Sequence, residues 1–265
     1  DFRTYSISLT SIPFPTFSTF YFQFSTTMKL NLLAIGVHPD DVELGCSGTL
    51  INEIKAGKKC GIIDLTQGEL GTRGDATTRL AEANAAAAIL GVSHRINLGF
   101  KDGFFQNDEW HQRELIKAIR HFQPDIILAN AVYDRHPDHG RAAQLIRDAA
   151  FLSGLSKVET VWEEKAQLAH RPKALYHYIQ SLDAKADFAI DITAFMEKKM
   201  ESIYAYKSQF FDANSTEQNT FISSPEFLEF IKASASNFGV PIGVRYAEGF
   251  TANKLIGVNS LFSLV

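Results

Sequence analysis

A chain of 265 residues, 45% of them hydrophobic, has room for one large α/β domain with a sizeable core. Its formal net charge of -4, with no basic stripe or Lys/Arg cluster, argues against nucleic acid or a membrane surface as partner and points to a small molecule. Two cysteines, Cys46 and Cys60, without a CxxC motif, read as buried thiols of a reducing compartment, hence the cytoplasm, and no stretch reaches the ~20 apolar residues of a membrane span.

Residues 1–27 are dominated by Ser, Thr and Phe and lack periodicity; they are expected to be a disordered or non-native leader before Met28 that contributes nothing to a site. A single domain is expected over residues 28–265. Within it LNLLAIG (Leu30 to Gly36) reads as a buried strand, and VELGCSGTLINEIKAGK as a helix ending in a basic, glycine-containing turn. GIIDLT is a second strand, TTRLAEANAAAAILG a helix closed by Gly91, and HRINLGF a third strand. A helix from about Asp108 to Phe122, the strand DIILAN and a helix from about Asp138 to Gly154 follow. Beyond Arg171 come the strands ALYHYIQ and DFAIDI, then helices over Phe195 to Phe210 and Pro225 to Phe238; QGELGTRGDA and FFDANSTEQNT read as flexible loops. The alternation predicts an α/β, Rossmann-like, mainly parallel sheet flanked by helices on both faces, with ligands at the carboxyl ends of the strands.

Two loops stand at such ends. HPDD follows the first strand and YDRHPDHG follows DIILAN, so His38, Asp41 and His139 offer two imidazoles and a carboxylate with an open fourth position, the pattern of a catalytic zinc site. A metal would relieve the repulsion of adjacent carboxylates, leaving Asp40 free to take a proton from an activated water. His136 is then a proton donor or oxyanion partner, with Asp138 available to orient its ring. The bland alternative is a turn whose Asp caps the next helix. His94, His111, His121, His170 and His177 lack comparable context. A dinucleotide site is disfavoured because GxGxxG is absent after Gly36, and GELGTRG lacks the GK[ST] ending of a P-loop.

HPDD with the following Glu43 and CSGT, paired with the downstream HPDH, resembles the LmbE-like, PIG-L-type family of zinc-dependent N-deacetylases acting on N-acetylglucosamine conjugates. GELGTRG, DRHPDHGRAA, YAEGF and GVNSLF are similar to its bacillithiol-biosynthesis branch, which acts on N-acetylglucosaminyl-malate. The resemblance implies metal ligation by His38, Asp41 and His139, a general base at Asp40, and His136 as stabiliser of the tetrahedral intermediate or proton donor. It also implies substrate contacts from Arg79 and Arg135, for which pairing with Glu82 and Asp134 is the structural alternative. The cofactor implied is one divalent ion, Zn²⁺ or another divalent metal, and the assembly a homo-oligomer such as a hexamer. Mycothiol-type relatives carry a tyrosine where this chain has Asp134, so Tyr133 and Tyr206 are the open candidates for an oxyanion donor. The rival readings are a deacetylase or amidase of the same family on another sugar or thiol conjugate, and a non-catalytic sugar- or metal-binding protein.

Overall fold

The computed structural model describes residues 28–182, 184–211 and 216–264; the leader expected over 1–27 and part of the FFDANSTEQNT loop lie outside them. The elements are β1 (Leu32–Gly36), α1 (Asp41–Lys55), β2 (Cys60–Thr66), α2 (Ala76–Leu90), β3 (His94–Phe100), α3 (Glu109–Phe122), β4 (Ile126–Ala129), α4 (Pro137–Leu152), β5 (Val161–Trp162), β6 (Lys165–Ala166), β7 (Ala174–Tyr178), β8 (Phe188–Asp191), α5 (Met196–Tyr204), α6 (Pro225–Gly239) and β9 (Ala247–Ala252). The main sheet runs β3-β2-β1-β4-β7-β9-β8, parallel from β3 through β7, with β9 antiparallel to both its neighbours. Strand order reverses between β1 and β4, so the loops leaving these adjacent strands diverge and open a crevice at their carboxyl ends. The two histidine motifs occupy those loops.

Alternation along β1 divides the core. Leu33 and Ile35 pack with Leu115, Ile119, Leu145 and Ile146 under α3 and α4, whereas Leu32 and Ala34 pack with Val42, Leu50 and Tyr178 on the α1 side. Each fully buried Leu or Ile contributes about 1.5–3 kcal/mol, so β1 is anchored by apolar burial on both of its faces. Asp75 caps α2 by accepting from Thr78 N at 2.7 Å, and Gly91 ends it in the left-handed region at φ 79°.

Two parts of the strand structure escaped the periodicity. Tight β5 and β6 turn through Glu163 and Glu164, both at positive φ, without the Asn-Gly signal of such turns. In β9 a glycine and a buried Glu248 interrupt any apolar pattern; a Cβ at Gly249 would come within 2.6 Å of the Phe238 ring. Helix α5 also ends at Tyr204, earlier than the expected Phe210.

The GCSGT stretch breaks α1 at Cys46 (φ -150°, ψ 17°). A Cβ at Gly45 would run into the Tyr178 ring, and one at Gly48 would meet Ile192 at 2.8 Å. Glu248 caps the second half of the helix, accepting from Gly48 N (2.9 Å) and Thr49 N (2.7 Å), and is itself held by Lys199 Nζ at 2.6 Å. The first turn of α1, carrying Asp41 and Glu43, is thereby aimed independently of the rest of the helix.

Candidate active site

Asp41 is the hub of the crevice. Its Oδ2 accepts from the backbone N–H groups of Val37 and His38, each at 3.0 Å, and from Asn130 Nδ2 at 3.1 Å; its Oδ1 accepts from Gln180 Nε2 at 2.9 Å. His139 Nε2 lies 3.2 Å from Oδ1, and His38 Nδ1 lies 3.7 Å from Oδ2. Burial acts to raise the Asp41 carboxyl, but the facing His139, His38 and the hydrogen bonds overcome it and hold it well below the usual carboxylate range. His38, Asp41 and His139 are therefore brought together around one point, and His136 joins them: the three imidazoles offer donor atoms within 4.8 Å of one another.

The far nitrogen of each outer imidazole is taken by a carboxylate that sequence patterns did not single out for the task. Asp134 Oδ2 faces His139 Nδ1 at 2.6 Å, and Asp102 Oδ1 faces His38 Nε2 at 2.9 Å. This fixes both rings and leaves His139 Nε2 and His38 Nδ1 turned toward Asp41, the carboxylate–histidine arrangement that commonly backs metal ligands. Burial would lower His139, yet Asp41 and Asp134 push it up to about 10, so a divalent cation at Nε2 takes the place of the proton that these carboxylates otherwise hold there. The donor set thus fits a divalent ion. Asp102 follows β3 and shares the carboxyl end of the sheet with both motifs, the one clue that could have found it.

Asp40 sits at the N-cap position of α1 but caps nothing: its φ is 130°, and its carboxylate is held by Arg79 Nη2 at 3.0 Å. The simple capping turn is therefore not what this motif builds, and the strained backbone turns the carboxylate into the crevice instead. Burial raises Asp40 to about 7 against the pull of Arg79, the range suited to a general base at neutral pH. In the second motif His136 is itself the N-cap of α4, with Pro137 in the first turn, and its Nδ1 accepts from Asp138 N at 3.3 Å. That bond assigns the neutral ring's proton to Nε2. Burial and the neighbouring His38 and His139 lower its pKa. Orientation of His136 thus comes from the Asp138 backbone; the Asp138 carboxylate, expected to do it, accepts instead from Gly103 N (2.8 Å) and Arg141 (2.6 Å).

The crevice holds about 240 Å³, and Arg79 and Arg135 both line it. Arg79 is buried and also donates to the Pro39 carbonyl; the alternative pairing with Glu82 does not form, since Glu82 accepts from Ser208. Gly68, at φ +66°, is required because a Cβ would press on the Arg79 guanidinium. Arg135 lies over the Phe221 ring at 4.8 Å, while Asp134 accepts only its backbone N–H. Neither candidate tyrosine lines the crevice: Tyr133 is 79% exposed, and Tyr206 is buried in the α2–α5–α6 core. Beneath the site, Arg95 bridges Asp64 (both contacts 2.7 Å) and Glu43 (2.6 Å), tying the first turn of α1 to β2 and β3.

In sequence and fold the chain is similar to several known proteins. Residues 33–150 match the family described as PIG-L: GlcNAc-PI de-N-acetylase. Among curated relatives, the diacetylchitobiose deacetylase of Thermococcus kodakarensis is 28% identical over 82% of this chain and 81% of its own. The 1D-myo-inositol 2-acetamido-2-deoxy-alpha-D-glucopyranoside deacetylase 1 of Catenulispora acidiphila is 26% identical over 80% and 86%. A solved structure, the conserved protein TT1542 from Thermus thermophilus, superposes with a TM-score of 0.77 at 35% identity, covering 87% of this chain and 98% of that one.

Proposed function

The chain belongs to the PIG-L (LmbE-like) family, and from that premise we propose that it is a metal-dependent N-deacetylase of an N-acetylglucosamine conjugate. The observation that carries this reading is the juxtaposition of a fixed carboxylate–imidazole ligand set (His38, Asp41, His139) with a carboxylate left outside it, Asp40, and a neutral His136. A divalent ion in that set, Zn²⁺ in this reading, supplies a Lewis acid that polarises an acetamide carbonyl and acidifies water. Asp40 takes the proton from the attacking water as its oxygen bonds to the carbonyl carbon. Nε2–H of His136 donates to the oxygen that gains negative charge. Breaking of the C–N bond then returns the proton to the nitrogen, releasing the amine and acetate. Arg79 holds Asp40 at the water rather than in a cap, and the buried Glu43–Arg95–Asp64 bridge keeps the loop from relaxing.

The aglycone in this reading is malate, as in bacillithiol biosynthesis. Malate carries two carboxylates, and Arg135 presents a guanidinium with no carboxylate partner among the described residues. Arg79 is committed to Asp40 and Pro39, so it serves the base more than the aglycone. A neutral chitobiose-type sugar is the second reading, favoured by the apolar wall of Leu70, Ile222 and Phe227 and by the diacetylchitobiose deacetylase among the relatives. No helix among the described residues is long and apolar enough to cross a membrane, and we place the enzyme in the cytoplasm, as a homo-oligomer, with residues 28–265 as one domain.

Acetate release from a panel of N-acetylglucosaminides by zinc-loaded protein tests the reading. Release is expected from the malate conjugate and to be abolished by chelation. Metal bound without acetate release from any member of the panel would favour a non-catalytic binding protein instead.

A further inference from the structure

A second cavity, of about 460 Å³, lies away from the crevice, between α4, the stretch leading into β7 and the segment that follows β9. That volume is in the range of small-molecule sites. Its lining contains four cations, Arg147, Arg171, Lys173 and Lys254, and no acid, in a chain whose net charge is -4. Arg147 and Lys173 are partly neutralised by Asp148 (3.7 Å) and Asp125 (3.1 Å). Arg171 donates to the Phe151 carbonyl at 2.9 Å and stacks on that ring at 4.3 Å, and Lys254 has no ion pair among the described residues. Apart from Asn253 the rest of the wall is largely apolar, with the partly buried Leu175 and Tyr176 inside and the exposed Phe151, Leu255 and Ile256 at the rim. Positive charge on a greasy floor suits a molecule with an anionic head and an apolar body.

The cavity wall is also joined to the catalytic centre. Asn253 Nδ2 lies 3.1 Å from His177 Nε2, His177 Nδ1 lies 2.7 Å from the Asn130 carbonyl, and Asn130 Nδ2 donates to Asp41 Oδ2 at 3.1 Å. Asn130, His177 and Asp41 are buried, so water cannot take over the two inner bonds, while Asn253 at the outer end is exposed to whatever enters the cavity. The roles are mutually consistent: a neutral His177 donates from Nδ1 and accepts at Nε2.

We propose that this cavity is a regulatory site for an amphipathic anion, a phosphate or carboxylate on an aromatic or alkyl body, whose binding is felt at Asp41 through Asn253, His177 and Asn130. An anion seated beside Lys254 competes with His177 Nε2 for the Asn253 amide hydrogens. Loss of that bond frees Asn130 to shift on Asp41, so occupancy alters turnover and leaves access to the crevice unchanged. The site and its ligand class stand on the cavity alone; only the effect on turnover uses the deacetylase reading.

Phenyl phosphate, compared with inorganic phosphate and phenol, is the probe. Calorimetry on the full chain is expected to show saturable phenyl phosphate binding with a Kd on the order of 1 mM or tighter, and weaker binding of both fragments. Exposed Lys254→Glu is expected to weaken it at least ~10-fold, as Arg171→Leu should, whereas Arg135→Ala at the crevice should not. In the acetate assay phenyl phosphate should lower kcat with KM unchanged, and Asn253→Ala should abolish that response while phenyl phosphate still binds. The proposal is overturned by the absence of saturable binding, by binding that survives Lys254→Glu, or by an effect on KM alone. It is equally overturned if Lys254→Glu dissociates an oligomer, which would give the cavity to a second copy of the chain. If no substrate is ever deacetylated, the calorimetric arm still decides the site.

Discussion

Replacing Asp40 by asparagine separates the general base from everything else the residue does. The amide has the same volume, its oxygen can still accept from Arg79 Nη2 at 3.0 Å, and the isosteric asparagine adds no backbone strain at the φ of 130° beyond what aspartate already bears there. The fold and the neighbouring ligand set should therefore survive, with metal content equal to the unmutated protein. What disappears is the ability to take a proton, for which losses of roughly 10²- to 10⁴-fold in kcat are typical, or about 3–5 kcal/mol of transition-state stabilisation. Asp40→Ala is the contrasting variant. It removes the partner of a buried guanidinium and puts a side chain with no local hydrogen bond at positive φ, so about 1–3 kcal/mol of stability should be lost as well. The assays are acetate release at saturating substrate, metal analysis and thermal unfolding on both variants. An Asp40→Asn protein that keeps full metal and more than about a tenth of its kcat would refute the assignment of the base.

Removing Arg95 as Arg95→Met strands Glu43 and Asp64 in the interior; a loss of about 3–5 kcal/mol is expected, a fall in Tm of roughly 6–20 °C, and adding Glu43→Gln and Asp64→Asn should recover much of it. Asp102→Ala and Asp134→Ala, which release the far nitrogens of His38 and His139, should each weaken metal affinity about 10- to 100-fold in a chelator competition while leaving the ligands in place. Arg135→Ala should raise KM for the malate conjugate more than for an uncharged N-acetylglucosaminide, whereas Arg79→Lys should depress kcat on both substrates alike. Burial, with Glu53 adding to it, pushes the Cys60 thiol up to about 12, and burial pushes Cys46 well above its ordinary value. Both should resist iodoacetamide at pH 8 until the protein unfolds. Because the folded pKa of Cys60 is raised, its contribution to stability is complete below the ordinary value of 9.0 and is lost as pH climbs toward 12, which a series of unfolding curves from pH 8 to 12 would show.

Local chemistry was enough to read the strand and helix alternation from Leu30 to Gly154 and the two HPD loops, because fully buried parallel strands and amphipathic helices write their environment into a few consecutive residues. The placing of both loops at one end of the sheet followed from the same alternation, because a helical crossover returns the chain to the same edge and makes successive strands parallel. Strand β9 was illegible: Glu248 is buried there for a cap on α1 that lies 200 residues away in sequence, and Gly249 is needed by a phenylalanine on α6. Within the site, residue types that face the centre were legible, whereas the groups that orient them were not. Asp102 and Asp134 take their tasks from hydrogen bonds to His38 and His139, and Asp138 lost its expected one to Gly103 and Arg141. The partner of Arg79 was decided in the same way, by the packing of α2 against the HPDD loop rather than by its helical neighbour Glu82. Residue identity limits which bonds a side chain can make; only the folded chain, by fixing distances between segments remote in sequence, decides which of them it does make.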